Sequence, residues 1–365
     1  MNKTQSLRTV AAAGLALGLL AGATPAFHQP QVAGAAHLGA TSGTVGFLIT
    51  DFTTSARWKQ DKAFVIANLA QTDPGVSVKV EDAKADQTRQ QQQATSLLTS
   101  GVKVLIDVPV DSTQAAAIVR AAHANKPYVP VIAYDRLIFG AAVDAYTSFD
   151  GFSVGVQQGK YLIAHVKKGG TIVSIAGSTT DNNAHLFYDG AMSVLMPLVK
   201  NGTYKLGYDK YTPNWDNNTA QAEMASALTA LNNKVDGVLV ANDGMAGGVV
   251  AALKAQGLAG KIPVTGQDAT TAGLQQILLG NQSMTIYKPL KKLAAAAAKI
   301  THTLLSGQKF TSATSIDNKF GKIPSIIIPV VTVTKANIKQ TVLADGFVSK
   351  SDLCNGIPAS ACAGL

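Results

Sequence analysis

Apolar positions in this chain come in short blocks, each followed by a longer stretch with helical spacing. Nearly continuous apolar runs occupy 45–50, 102–108, 129–133, 171–176, 237–241 and 262–265. Runs of that length and β-branched content predict strands buried on both faces. Strict alternation over 76–80 predicts a half-exposed strand. Shorter extended pieces are expected at 145–149, 204–208 and 284–287, and a last apolar extended run at 325–333. Between them, apolar residues at helical spacing predict helices over 53–70, 87–99, 112–125, 153–167, 183–199, 217–231, 244–256, 271–279 and 290–305, with a short one at 335–343. Thr53 or Thr54 is the expected cap of the first helix, and Gly101 and Gly257 the stops of two others.

Strands and helices that alternate in this way specify parallel sheets with right-handed crossovers. Two such series, divided near Asp150, predict an α/β fold of two doubly wound lobes. The segments after about Met284 read as extra passes between the lobes. We therefore assign 44–150 with 287–315 to a first lobe, and 151–286 with 316–365 to a second. Several buried strands run directly into polar residues. Examples are Tyr134-Asp135-Arg136, Ala241-Asn242-Asp243, Gly266-Gln267-Asp268, Asp51 after the first run, and Asp181 shortly after Gly177. In open α/β sheets the carboxyl ends of the strands are where ligands bind, so these endings predict one shared polar mouth.

Composition changes the picture in three places. At 365 residues, with 47% hydrophobic and 15% charged, the chain is long and apolar enough for two cores. The net charge of +9 is scattered without a basic stripe, which argues against a nucleic-acid partner. The opening residues have the form of an export signal. Lys3 and Arg8 precede a short apolar run over 10–20, with Ala21-Gly22-Ala23 as the expected cleavage site and Ala33-Gly34-Ala35 as a later option. We expect residues 1–23 to be removed on export to the periplasm, and 24–43 to form a disordered leader. Cys354 and Cys362, both near the C-terminus, are expected to form a disulfide in that oxidising compartment, with two free thiols as the alternative.

Candidate chemistry points to binding. GxGxxG, GxxxxGK[ST] and Gly-x-Ser-x-Gly are all missing, and no two of the six histidines stand at metal-ligand spacing. Neither a cofactor nor a metal is expected, and an enzyme is disfavoured. The rival is a sugar-acting exported enzyme using a carboxylate pair such as Asp135 and Asp268. What remains suits a neutral ligand rich in hydroxyls: carboxylates that accept, cations that donate, amides that do both. Trp58 and Trp215 offer flat faces for the apolar side of a sugar ring.

On these segments, joined by Ser55-Ala-Arg-Trp-Lys-Gln-Asp61, Ser148-Phe-Asp150, Asp181-Asn-Asn-Ala184 and Met284-Thr-Ile-Tyr-Lys-Pro289, the chain resembles the periplasmic sugar-binding proteins of the ribose-binding type (type I). Within that family it is most similar to the branch serving D-xylose ABC importers. The resemblance spans roughly 44–309. It implies two Rossmann-like lobes joined by a three-strand hinge and closing on a monosaccharide. Arg57, Trp58, Asp135 and Arg136 would act from one lobe, and Asp181, Asn183 and Trp215 from the other. Asn242, Asp268 and Lys288 would complete the ring near the hinge, with Asp243 and Gln267 in second rank. D-xylose is the implied ligand, with ribose, arabinose, glucose or galactose as alternatives. The implied partners are the membrane subunits of an ABC permease, with a chemotaxis receptor as a further reader, and the expected state is a monomer. Plainer roles stay open: Arg57 and Asp61 as a helix-surface ion pair, Asp181 to Asn183 as a helix cap, Asp268 as a cap. Tyr188-Asp189 departs from the family pattern, where a basic residue is expected.

Overall fold

The computed structural model describes residues 41–53 and 55–365. The expected export signal, most of the expected leader and Thr54 lie outside the described residues. In chain order the elements are β1 (Ser42–Ile49), α1 (Arg57–Thr72), β2 (Gly75–Asp82), α2 (Gln87–Thr99), β3 (Val104–Asp107), α3 (Ala116–Ala124), β4 (Val131–Tyr134) and β5 (Ala145–Phe149). There follow α4 (Gly151–His165), β6 (Thr171–Ala176), α5 (Asn182–Lys200), β7 (Lys205–Tyr211), α6 (Asn217–Ala230), β8 (Gly237–Val240), α7 (Asp243–Ala255) and α8 (Thr271–Leu278). The chain ends with β9 (Thr285–Tyr287), α9 (Leu290–Leu305), β10 (Ser315–Asp317), β11 (Lys322–Ile328), β12 (Val331–Val333) and α10 (Lys350–Cys354).

The first lobe is built on a seven-stranded sheet in the order β10-β11-β5-β4-β3-β1-β2, parallel except for β10 against β11. The second has a parallel three-stranded sheet, β7-β6-β8. Each sheet reverses its order beside its first strand, at β1/β3 and at β6/β8. That reversal opens a crevice at the strand carboxyl ends. Burial follows position: β3 and β4 are buried throughout, whereas the edge strand β2 alternates. Three segments cross between the lobes, at 149–151, 287–290 and 328–331. They are tied together: the Asp150 N–H donates to Ile328 O at 3.1 Å, and β9 pairs antiparallel with β12.

The structure departs from the sequence reading at several points. No cap comes from Thr53, whose N–H and hydroxyl both donate to Asp51; α1 begins after Ala56 without a side-chain cap. β1 starts at Ser42, inside the range expected to be leader. The run 262–265 gives only a single bridge, Val238 to Val264. There the Thr265 hydroxyl accepts from Val240 N–H at 2.8 Å and donates to Val240 O at 2.9 Å, taking both groups that a further ladder rung needs. The run 325–333 is cut at Pro329, which has no N–H to donate. Its halves, β11 and β12, join different sheets. As a result β10 and β11 lie in the first lobe's sheet, and the chain returns to the second lobe after Ile328 instead of at 316. The segment 335–343 closes with a π-helical turn, Lys339–Leu343. Cys354 and Cys362 are disulfide-bonded, and Gln275 Nε2 holds this tail by donating to Leu353 O and Asn355 O.

One residue breaks the apolar logic of the large sheet. Asp107 ends β3 between Leu48 and Ala133, fully buried, with neither carboxyl oxygen hydrogen-bonded among the described residues. Burial pushes its pKa from 3.8 up to about 8. A carboxyl raised on folding stabilises the fold fully below its unfolded value, and that contribution is lost as pH rises through the folded one. We therefore expect Asp107→Asn to match the parent in thermal midpoint near pH 4 and to exceed it increasingly towards pH 8. Parallel melting curves across that range would refute this if the gap stayed constant.

Candidate functional site

The crevices of the two sheets face each other across one cavity lined from both lobes. Its walls are the strand endings singled out in the sequence. Arg57 and Trp58 come from the start of α1, Asp135 and Arg136 from the end of β4, and Asp181 and Asn183 from the start of α5. Trp215 follows β7, Asn242 follows β8, Gln267 and Asp268 follow the Val264 bridge, and Lys288 follows β9. All ten first-rank candidates thus line one cavity, as does Gln267.

Seven charged side chains are buried here, none more than 7% exposed: Arg57, Asp61, Asp135, Arg136, Asp181, Asp268 and Lys288. Arg57 is held by a fork from Asp61, with Nε at 2.9 Å and Nη2 at 3.2 Å; Tyr134 donates to the same carboxylate at 2.6 Å. The i, i+4 pair read in the sequence is real, but it is buried and not a surface pair. The Arg57 Nη1 then reaches Asp135 at 2.8 Å and lies 3.8 Å from Asp268 of the other lobe. Lys288 Nζ lies 3.0 Å from Asp268 and 3.9 Å from Asp135. Across the cleft, Arg136 Nε stands 2.8 Å from Asp181, and Asn183 Nδ2 donates to both the carbonyl and the carboxylate of Asp135. The lobes are in contact.

Burial and charge compete at each carboxylate. At Asp135 burial favours the neutral acid, but Arg57, Lys288 and Arg136 outweigh it and hold the group below the usual carboxylate range. At Asp181 burial prevails over Arg136, and the pKa is raised. Arg57 is the mirror case: burial would lower it, yet Asp135, Asp61 and Asp268 together raise it.

Three lining residues have left-handed backbones: Asp135 at φ 63°, Trp215 at φ 58° and Asp268 at φ 93°. Non-glycine residues rarely adopt such angles, and they collect at functional sites. The indole of Trp215 lies on Gly177, where a Cβ would come within 2.2 Å of the ring, and its Nε1 donates to Asp181 at 3.2 Å. Guanidinium groups flank Trp58, with Arg57 Cζ 4.3 Å and Arg136 Cζ 5.6 Å from the ring centroid.

Capping and lining coexist. Asp181 caps α5, and Asn242 caps α7 through Met245 N–H. One lone pair of the Asn242 oxygen is thereby committed, which leaves its second lone pair and its NH2 to serve a ligand. Asp268 is not a cap, since Thr270 caps α8. Asp243 is set behind the wall. Its carboxylate accepts from Thr270 N–H at 2.8 Å and Gln282 Nε2 at 2.7 Å, and burial pushes its pKa up to about 7. Two lining residues were not singled out in the sequence. Ser55 donates to Asp268, and Phe187 meets Trp215 edge-on. Phe187 stands four residues after Asn183, on the same helix face, so its spacing carried a usable signal.

Residues 45–309 match the model of the periplasmic binding protein domain. The chain is 38% identical over 309 residues to the D-xylose-binding periplasmic protein of Escherichia coli (strain K12), covering 85% of this chain and 92% of that protein. It is 33% identical to the multiple sugar-binding periplasmic receptor ChvE of Rhizobium radiobacter, covering 97% and 100%. Among solved structures, a carbohydrate transporter solute binding protein from Chloroflexus aurantiacus in complex with D-glucose superposes with a TM-score of 0.77 at 33% identity, covering 85% of this chain and 97% of that one.

The contact between Gly177 and Trp215 gives a direct check. Gly177→Ala should push the indole off its seat, shifting tryptophan emission to the red and raising collisional quenching by acrylamide. Unchanged emission and quenching would mean that the loop accommodates the methyl without moving Trp215.

Proposed function

Since the chain belongs to the periplasmic binding protein family, we propose that it is an exported receptor that binds one monosaccharide, D-xylose, in the interlobe cavity and delivers it to the membrane subunits of an ABC importer. One observation carries this reading: two indoles and a ring of alternating donors and acceptors line the same buried cavity. Carboxylates accept from sugar hydroxyls while Arg57, Arg136 and Lys288 donate to them. Trp58 and Trp215 offer flat surfaces for the C–H faces of the ring. The likeness to D-xylose-binding proteins supports the pentose.

The electrostatics disfavour the rival reading of Asp135 and Asp268 as an enzyme's carboxylate pair. Asp135 is held ionised between cations, so it is unsuited to give a proton as a general acid. Every cation in the ring is already paired with a carboxylate. An added anion would lose solvation without gaining a free partner, so neutral aldoses are favoured over sugar acids.

Titration calorimetry with D-xylose, D-glucose, D-ribose and D-glucuronate is the test. D-xylose should bind tightest and D-glucuronate should give no heat. Tighter D-glucose binding would keep the receptor and move its ligand to a hexose. Silence from all the aldoses would remove the reading. Trp58→Ala and Trp215→Ala should each weaken D-xylose at least about tenfold, a loss of ~1.4 kcal/mol; undiminished affinity would exclude stacking.

A further inference from the structure

Beside the cavity, the lobes meet at a second seam, whose first-lobe loop also steadies the cavity wall: Arg136 Nη1 donates to Pro109 O at 3.2 Å. The loop after β3 carries Ser112, which is 3% exposed. Its backbone N–H donates to Thr180 O at 2.9 Å, and its hydroxyl accepts from Asn182 N–H at 3.1 Å. Thr180 Oγ1 returns a bond of 3.3 Å to Val110 O. Asn182 is the first residue of α5, so its N–H has no partner within the helix. Ser112 satisfies that orphan donor from the opposite lobe.

The first-lobe side of the seam is rigid. Gln87 Oε1 accepts from Asp111 N–H at 2.9 Å, Gln90 Oε1 from Val110 N–H at 3.0 Å, and Gln90 Nε2 donates to Val108 O at 2.8 Å. Two residues of the glutamine-rich helix α2 thus hold the loop in the shape that presents Ser112. The Ser112 carbonyl is pinned in turn by Phe139 N–H at 2.8 Å.

We infer that Ser112 is a latch, a positioning residue that caps α5 across the seam and sets sugar affinity without touching the sugar. The inference rests on the receptor reading above. Bonds that exist only when the lobes meet favour the closed form by the same amount whatever ligand it encloses. The latch therefore scales all affinities together and leaves selectivity to the cavity. It also steadies the helix start that presents Asp181 and Asn183.

The test uses the full chain with D-xylose and D-glucose as probes. Ser112→Ala should weaken each sugar that binds the parent by the same factor, about three- to tenfold for one lost hydrogen bond. The loss should appear as faster dissociation, with the sugar-free melting temperature unchanged. Thr180→Val, which removes a bond from the other lobe, should behave alike. Unchanged affinity in both variants would overturn the latch and leave the receptor standing. A sugar-free melting temperature lowered in step with affinity would overturn it too, by making Ser112 an ordinary fold residue. If the parent binds no sugar at all, the receptor reading fails and the latch with it.

Discussion

Seven buried charges in one seam are the constraint on which the rest of the site depends. An isolated buried ion is prohibitive, and a buried pair is tolerated only with good geometry and added hydrogen bonds. The first lobe meets this internally at Arg57, where the Asp61 fork, itself bonded by the Tyr134 hydroxyl, holds the guanidinium with residues of that lobe alone. Arg136 and Asp181 meet it only together, since they come from different lobes. Asp268 belongs with the second lobe, yet its near cations are Lys288 on a crossing segment and Arg57 of the first lobe. The seam is thus held partly within the first lobe and partly by contacts between the lobes.

Strained backbone is the second requirement, and each strained residue is over-determined. Left-handed angles outside glycine cost about 1–3 kcal/mol each. Asp135 has its carbonyl held by Ser148 and Tyr146 from β5 and by Asn183 across the cleft. Asp268 is fixed by its N–H to Ile286 O, while Asp243, wedged against Gly266 and Gly273, pins Thr270 just beyond. The space around Asp243 exists only because those two positions carry no Cβ: a methyl at either would fall 2.3 Å from a carboxylate oxygen. Such angles aim the carboxylates inwards from strand ends that would otherwise carry them past the crevice.

These facts explain what was legible in the sequence. A polar residue at the end of a buried strand is visible because period and polarity are local properties, and Asp135, Asn242 and Asp268 were found that way. The α9 helix over Leu290–Leu305 was likewise plain from its pattern. What failed was decided by partners distant in sequence. Nothing local says that the Thr265 hydroxyl ends a ladder at Val240, or that β11 pairs with β5 over a separation of more than a hundred residues. Ser55 carried no periodic signal, because its role comes from a loop reaching Asp268 in the other lobe.

The departure at Tyr188-Asp189 can now be located. Asn183 and Phe187 are four residues apart on α5 and both line the cavity. Positions 188 and 189 follow at about 100° per residue, which turns them away from that face. Tyr188 accordingly donates to Asp209 at 2.6 Å and packs against Tyr211, and Asp189 is exposed. Neither residue lines the cavity. The change from the family pattern therefore alters the outer face of the second lobe and leaves the thirteen residues that line the cavity untouched.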